Sequence, residues 1–113
     1  MWKPCLGPRF RGDERGIGMA FYVYIVASRK NGTLYIGMTD DLEKRIWEHK
    51  EKLFKGFTAK YGVDRLVWHE THDTRESAFR RERAMKKWNR QWKIDLIEKE
   101  NPYWQDLSAL WNT

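Results

Sequence analysis

From Phe21 to Ala27 apolar and aromatic residues run without a break, and inside that run Tyr22 and Tyr24 alternate with Val23 and Ile25. Period-two placement of β-branched and aromatic side chains predicts a strand that sends both tyrosines to one face. Asn31-Gly32 comes next, the dipeptide best suited to a tight hairpin, and Thr33 to Ile36 reads as a second, antiparallel strand. Tyr35 is then expected near Tyr24, with Gly37 ending the strand at a sharp turn. Thr39-Asp40-Asp41 offers side-chain oxygens to the start of a helix over Asp41 to Leu53. The apolar stripe of that helix, Leu42, Ile46 and Leu53, takes in His49, and Arg45 lies on its edge one turn earlier.

Alternation returns in Arg65 to Thr71, where Leu66, Trp68 and Glu70 face away from Val67 and His69, which predicts a third strand. Asp73 with Glu76 three residues on has capping-box spacing and opens a helix to about Trp88. Its inward stripe is Ala78, Glu82, Met85 and Trp88, so one carboxylate falls in the middle of an apolar face. A buried carboxylate costs several kcal/mol unless it is paired or metal-bound. Glu82 is therefore either half of an ion pair with a core arginine such as Arg45, or a metal ligand. Asn89 to Glu100 reads as a last helix, with Trp92 and Leu96 on one face, Ile94 and Ile97 beside them, and Asn101-Pro102 as its stop. The aromatic tail from Tyr103-Trp104 to Trp111 is expected to pack down, with Trp88, Trp92 and Trp104 as core. The fold class is α/β (α+β): a small three-stranded antiparallel sheet flanked by helices.

With 113 residues there is room for one core, and seven tryptophans supply bulk to it despite a mean hydropathy of -0.86. The longest apolar run is far short of the ~20 residues that span a bilayer. A formal charge of +6 attracts phosphates or anionic lipid, although plain surface solvation would account for it equally. Residues 1–18 mix Gly, Pro and Arg without period and read as a disordered N-terminal arm, with Met19 as the natural start and 19–113 as the folded domain. From Met19 onward 18 Lys and Arg against 14 Asp and Glu still leave +4. Cys5 alone forms no internal disulfide and fits a reducing cytoplasmic setting. Phe54 to Gly62 interleaves Lys55 and Lys60 with Phe57 and Tyr61, a mixture suited to phosphates and bases, or simply to aromatics packing down. His69 and His72 lack zinc spacing, because positions three apart on a strand point to opposite sides.

Tyr22-Val23-Tyr24, Tyr35-Ile36-Gly37, Asp41 to Arg45 and His49 together resemble the GIY-YIG nuclease superfamily. The likeness is to its small single-domain bacterial members, related to the N-terminal domain of the excinuclease C subunit. It extends from Ala20 to Leu107 and takes in the run from RERAMKKW to NPYWQDL. The first half-motif reads YVY and keeps Tyr24, with Tyr22 in place of its glycine, whereas YIG is complete. The resemblance implies a metal-dependent endonuclease acting on DNA, structure-directed or repair-related, with RNA as an alternative substrate, no membrane and no obligate protein partner.

It also implies roles. Tyr24 is the general base at the attacking water, Tyr35 holds water and phosphate, Arg45 clamps the phosphate, and His49 relays the phenol proton. Glu82 binds one Mg2+ or Mn2+, Gly37 is a structural part of the motif, and Lys44, Lys55 and Lys60 contact nucleic acid. Met38 stands where the excinuclease branch carries a basic residue, which leaves Lys44 or Lys60 to supply that charge. A non-catalytic nucleic-acid-binding module on the same fold is the competing expectation.

Overall fold

The computed structural model describes residues 20–51 and 62–112. The expected arm at 1–18, and Lys55 and Lys60 with their loop, lie outside the described residues. Strands β1 (Phe21–Ala27) and β2 (Leu34–Thr39) are followed by helix α1 (Leu42–Lys50), strand β3 (Arg65–His72), helices α2 (Arg75–Lys86) and α3 (Arg90–Glu100), and a 3-10 segment (Leu107–Asn112). The sheet is antiparallel in the order β2-β1-β3, so the most apolar strand is central. This is the expected α+β architecture.

The hairpin forms where Asn31-Gly32 predicts it. Asn31 adopts left-handed backbone (φ 60), which a short polar side chain tolerates, and the Ser28 hydroxyl accepts the Thr33 N–H at 2.9 Å. Strand β2 runs further than expected, through Gly37 to Thr39, because every residue to that point is paired with β1. Asp41 caps α1 by accepting from the Lys44 N–H. At α2 the cap is Thr74, not Asp73; its hydroxyl accepts from the Ser77 N–H at 3.1 Å, one residue nearer the helix than the capping-box spacing suggested. Asn89 caps α3.

Period two sorts the sheet into two faces. Val23, Ile25 and Ala27 point to the side covered by α2 and α3, where they meet Met85, Ile97 and Trp104. Tyr24 and Val26 point to the side of α1, with Leu42, Ile46 and Leu66. Between Ile25 and Val26 the β3 register slips, so that Val67 is an extra residue; the Asn101 side-chain amide holds its carbonyl at 3.1 Å. Asn101 belongs to the NPYWQDL run, which ties the chain end to the sheet. Trp104 is fully buried with its indole N–H on Glu98. Asp106 accepts from the Leu66 N–H and pairs with Lys50 at the end of α1. That pair fixes the helix turn carrying His49. Trp92 departs from expectation: it is 56% exposed, its ring edge against Trp88, because α3 turns Ile97 toward the core instead.

Candidate active site

Register decides which side chains meet. Tyr24 pairs with Gly37 and Val26 with Tyr35, so both tyrosines and the glycine share the α1 face of the sheet. The Tyr24 ring lies across Gly37. A Cβ at that position would stand 2.6 Å from the phenol oxygen, so the motif's glycine makes room for the tyrosine rather than turning the chain. Passing over it, the Tyr24 hydroxyl reaches 3.0 Å from His49 Nε2. The His49 ring centroid is 5.7 Å from that of Tyr24 and 5.7 Å from that of Tyr35, and the histidine is only 5% exposed. Arg45, one turn before His49, pairs with Glu48 at 3.5 Å, and its cation also acts on the Tyr24 phenol.

From the other layer, α2 contributes Glu82 and Lys86. The Glu82 side chain is 14% exposed and close enough to act electrostatically on Tyr24. Lys86 Nζ stands 3.3 Å from Glu82 Oε2 and 5.9 Å from the Tyr35 ring centroid. Tyr24, Tyr35, Gly37, Arg45, His49 and Glu82 therefore converge. Lys44 lies exposed on α1.

Burial keeps the central pair neutral. Desolvation is the main reason the Tyr24 phenol is pushed well above its ordinary range, and Tyr35 and Glu82 push the same way; the Arg45 cation opposes them. The same desolvation, aided by the positive Arg45, brings the His49 imidazole down to about 4, with Asp64 opposing. A neutral imidazole has one nitrogen free to accept a proton. In its Nδ1–H tautomer Nε2 accepts from the phenol, which is the arrangement a proton relay requires.

Glu82 fits a hard divalent cation. It is an oxygen donor on the rim of the cluster, and Mg2+ commonly binds through one or two carboxylates with water completing its shell. Among the described residues no three His, Cys, Asp or Glu gather into a fuller ligand set. His69 and His72 lie on opposite faces of β3, opposite Tyr24 and Phe21 respectively, and His72 is taken up by Glu70 and Ser77.

Lys86 was not foreseen from the sequence. Its signal was spacing: Glu82 and Lys86 are one turn apart on the same stripe, next to Met85. Met38, whose place after YIG raised the question of a missing cation, packs among the apolar side chains on the opposite face, as alternation along β2 demands. The cation beside Tyr35 comes from α2 instead.

The GIY-YIG catalytic domain family model matches residues 20–95. A UPF0213 protein of Staphylococcus saprophyticus is 40% identical over 76 residues, covering 67% of this chain and 92% of its own length. A UPF0213 protein of Clostridium perfringens is 35% identical over 91 residues, covering 77% of this chain and 97% of its own. The solution NMR structure of a UPF0213 protein from Bacillus halodurans superimposes with a TM-score of 0.50 at 30% identity, covering 81% of this chain and 97% of that one. With the paired tyrosines, the glycine beneath them and the family match in agreement, the chain belongs to the GIY-YIG family of nuclease-type catalytic domains.

Proposed function

We propose that this protein is a metal-dependent endonuclease that hydrolyses phosphodiester bonds in DNA, structure-directed or repair-related. The observation that carries the reading is the Tyr24 hydroxyl 3.0 Å from a buried His49 Nε2, flanked by Arg45 and Glu82. The Tyr24 oxygen takes a proton from the attacking water as its own proton passes to Nε2, leaving an imidazolium. At rest this transfer is steeply uphill, since burial favours the neutral phenol and the neutral imidazole alike. The dianionic charge developing on the phosphate stabilises the imidazolium at the moment it forms. Arg45 grips phosphate oxygens and Tyr35 orients water through its hydroxyl. Glu82 would hold Mg2+ or Mn2+, which would supply positive charge against the charge developing on the phosphate.

Little surface remains for reading bases in a domain this small, so shape and charge of the DNA select the site. The basic balance of the chain supports a nucleic-acid substrate, and no helix among the described residues is long and apolar enough to cross a membrane. Incubation of branched and single-stranded DNA with the protein tests the reading. Cleavage is expected with millimolar Mn2+ and not with EDTA. Mn2+ should also raise the melting temperature of the wild type and not that of Glu82→Gln. Binding without cleavage on every substrate would favour the non-catalytic module instead.

A further inference from the structure

At the tip of the β1–β2 hairpin lies a recess of about 550 Å3 lined by Arg29, Arg90 and Lys93; Asn31 and Thr33 also line it, and among the described residues no acidic one does. Arg90 is held in place. Its Nη2 donates to the Asn31 carbonyl at 2.8 Å and to the Gly32 carbonyl at 2.6 Å, which fastens α3 to the turn and fixes the guanidinium in the recess wall.

Bracing the turn accounts for Arg90 but not for the charge that Lys93 adds to the same helix turn. Arg90 and Lys93 occupy the opening turn of α3, where the helix dipole already places partial positive charge and added cations are disfavoured. The two other helices carry an acid in that turn, Glu43 in α1 and Glu76 in α2, and α3 carries none. Lys93 thus adds positive charge where the helix does not favour it, beside Arg29 and Arg90.

Its position relates it to the tyrosines. Gly32 lies in the turn two residues before β2 begins, and three residues of chain at ~3.3 Å each put its backbone at most roughly 10 Å from that of Tyr35. Measured along a duplex axis, where one strand's phosphates rise ~3.4 Å each, that is about three nucleotides. Lys86, beside the Tyr35 ring, marks the near end of the path.

We infer that the hairpin-tip recess binds a backbone phosphate of the nucleic acid, so that the strand is gripped at two points: at the tyrosine cluster and, a few nucleotides away, by Arg29 and Lys93. This rests on the reading that the substrate is a nucleic acid. Arg90 braces the turn and contributes charge, so it is left intact in the test.

The test measures affinity for a fluorescent DNA strand across a salt series, in EDTA, on the Glu82→Gln background. Adding Arg29→Ala with Lys93→Ala should weaken binding about tenfold at 0.1 M salt and make the slope of log K against log salt shallower by about 1.5–2. Arg29→Lys with Lys93→Arg should restore both, and melting temperature should not fall in either. An unchanged affinity and slope in the double alanine variant would overturn the inference. So would a recess that only takes inorganic phosphate: phosphate raising the melting temperature of the wild type and not of the variant, with DNA affinity equal in the two. Absence of cleavage by the wild type, with the slope difference intact, would sink the nuclease reading and leave the recess standing. Cleavage with an unchanged slope would sink the recess alone.

Discussion

The two faces of the central strand are built from neighbouring residues and are put to opposite uses. Val23 and Ile25 enter a largely apolar layer with Met85, Ile97 and Trp104, where the indole N–H is met by Glu98. Tyr24, between them in sequence, enters a layer where a phenol, an imidazole and a guanidinium are crowded together and partly desolvated. One face stabilises the domain by burial; the other holds ionisable groups in states that burial makes costly to change. A strand's period of two lets a single seven-residue segment do both. Substitutions on the two sides should therefore separate stability from activity.

The largest effect on stability is expected from the apolar face. Trp104→Ala removes a fully buried side chain and should cost about 3–5 kcal/mol in chemical denaturation, while the cleavage rate per folded molecule stays near that of the wild type. A destabilisation below 1 kcal/mol would mean that this layer is not what holds the sheet.

A smaller effect comes from the ionisable face, through pH. His49 has a folded value of about 4 against an ordinary 6.5, so as pH falls below 6.5 the unfolded chain takes up the proton first. The stabilisation is complete above 6.5 and is lost on the way down to about 4. Between pH 7 and pH 5 this amounts to about 2 kcal/mol. His69, also depressed mainly by burial, adds in the same direction. Asp106 acts lower down: burial alone would raise it, but donors from Lys50 and Ser108 hold it below the usual carboxylate range, so its contribution fades only at more acid pH. Denaturation at pH 7 and pH 5 should show the loss in wild type and a flatter response in His49→Gln. A His49→Gln response as steep as that of wild type would assign the acid sensitivity elsewhere.

Local pattern made most of the frame legible. Strand β1 matches its sequence limits, Asn31-Gly32 marks the hairpin, and Asp41 and Asn89 announce their helices. What escaped depended on contacts between distant segments. Gly37 looked like a strand end, yet its meaning lies in the phenol of Tyr24 thirteen positions earlier, and only the strand register reveals it. Asp73 and Thr74 are both good caps in sequence, and backbone geometry chose the second. The ion pair imagined between Glu82 and Arg45 gives way to one with Lys86, because a neighbour one turn along the same helix competes well against a residue on another layer. Arg29, Arg90 and Lys93 carry no sequence motif at all; the hairpin brings residues some sixty positions apart into one recess.

On the proposed reading, the Tyr24–His49 pair serves chemistry and is not needed for the fold. Tyr24→Phe keeps the ring over Gly37 and removes one oxygen, so cleavage and unfolding free energy measured on the same preparation test it directly. Cleavage with Mn2+ should fall by at least ~100-fold, since the proton-transfer group is gone, while stability falls by no more than the ~1–3 kcal/mol of one lost buried hydrogen bond. Cleavage retained at near the wild-type rate, in a folded variant, would contradict the account.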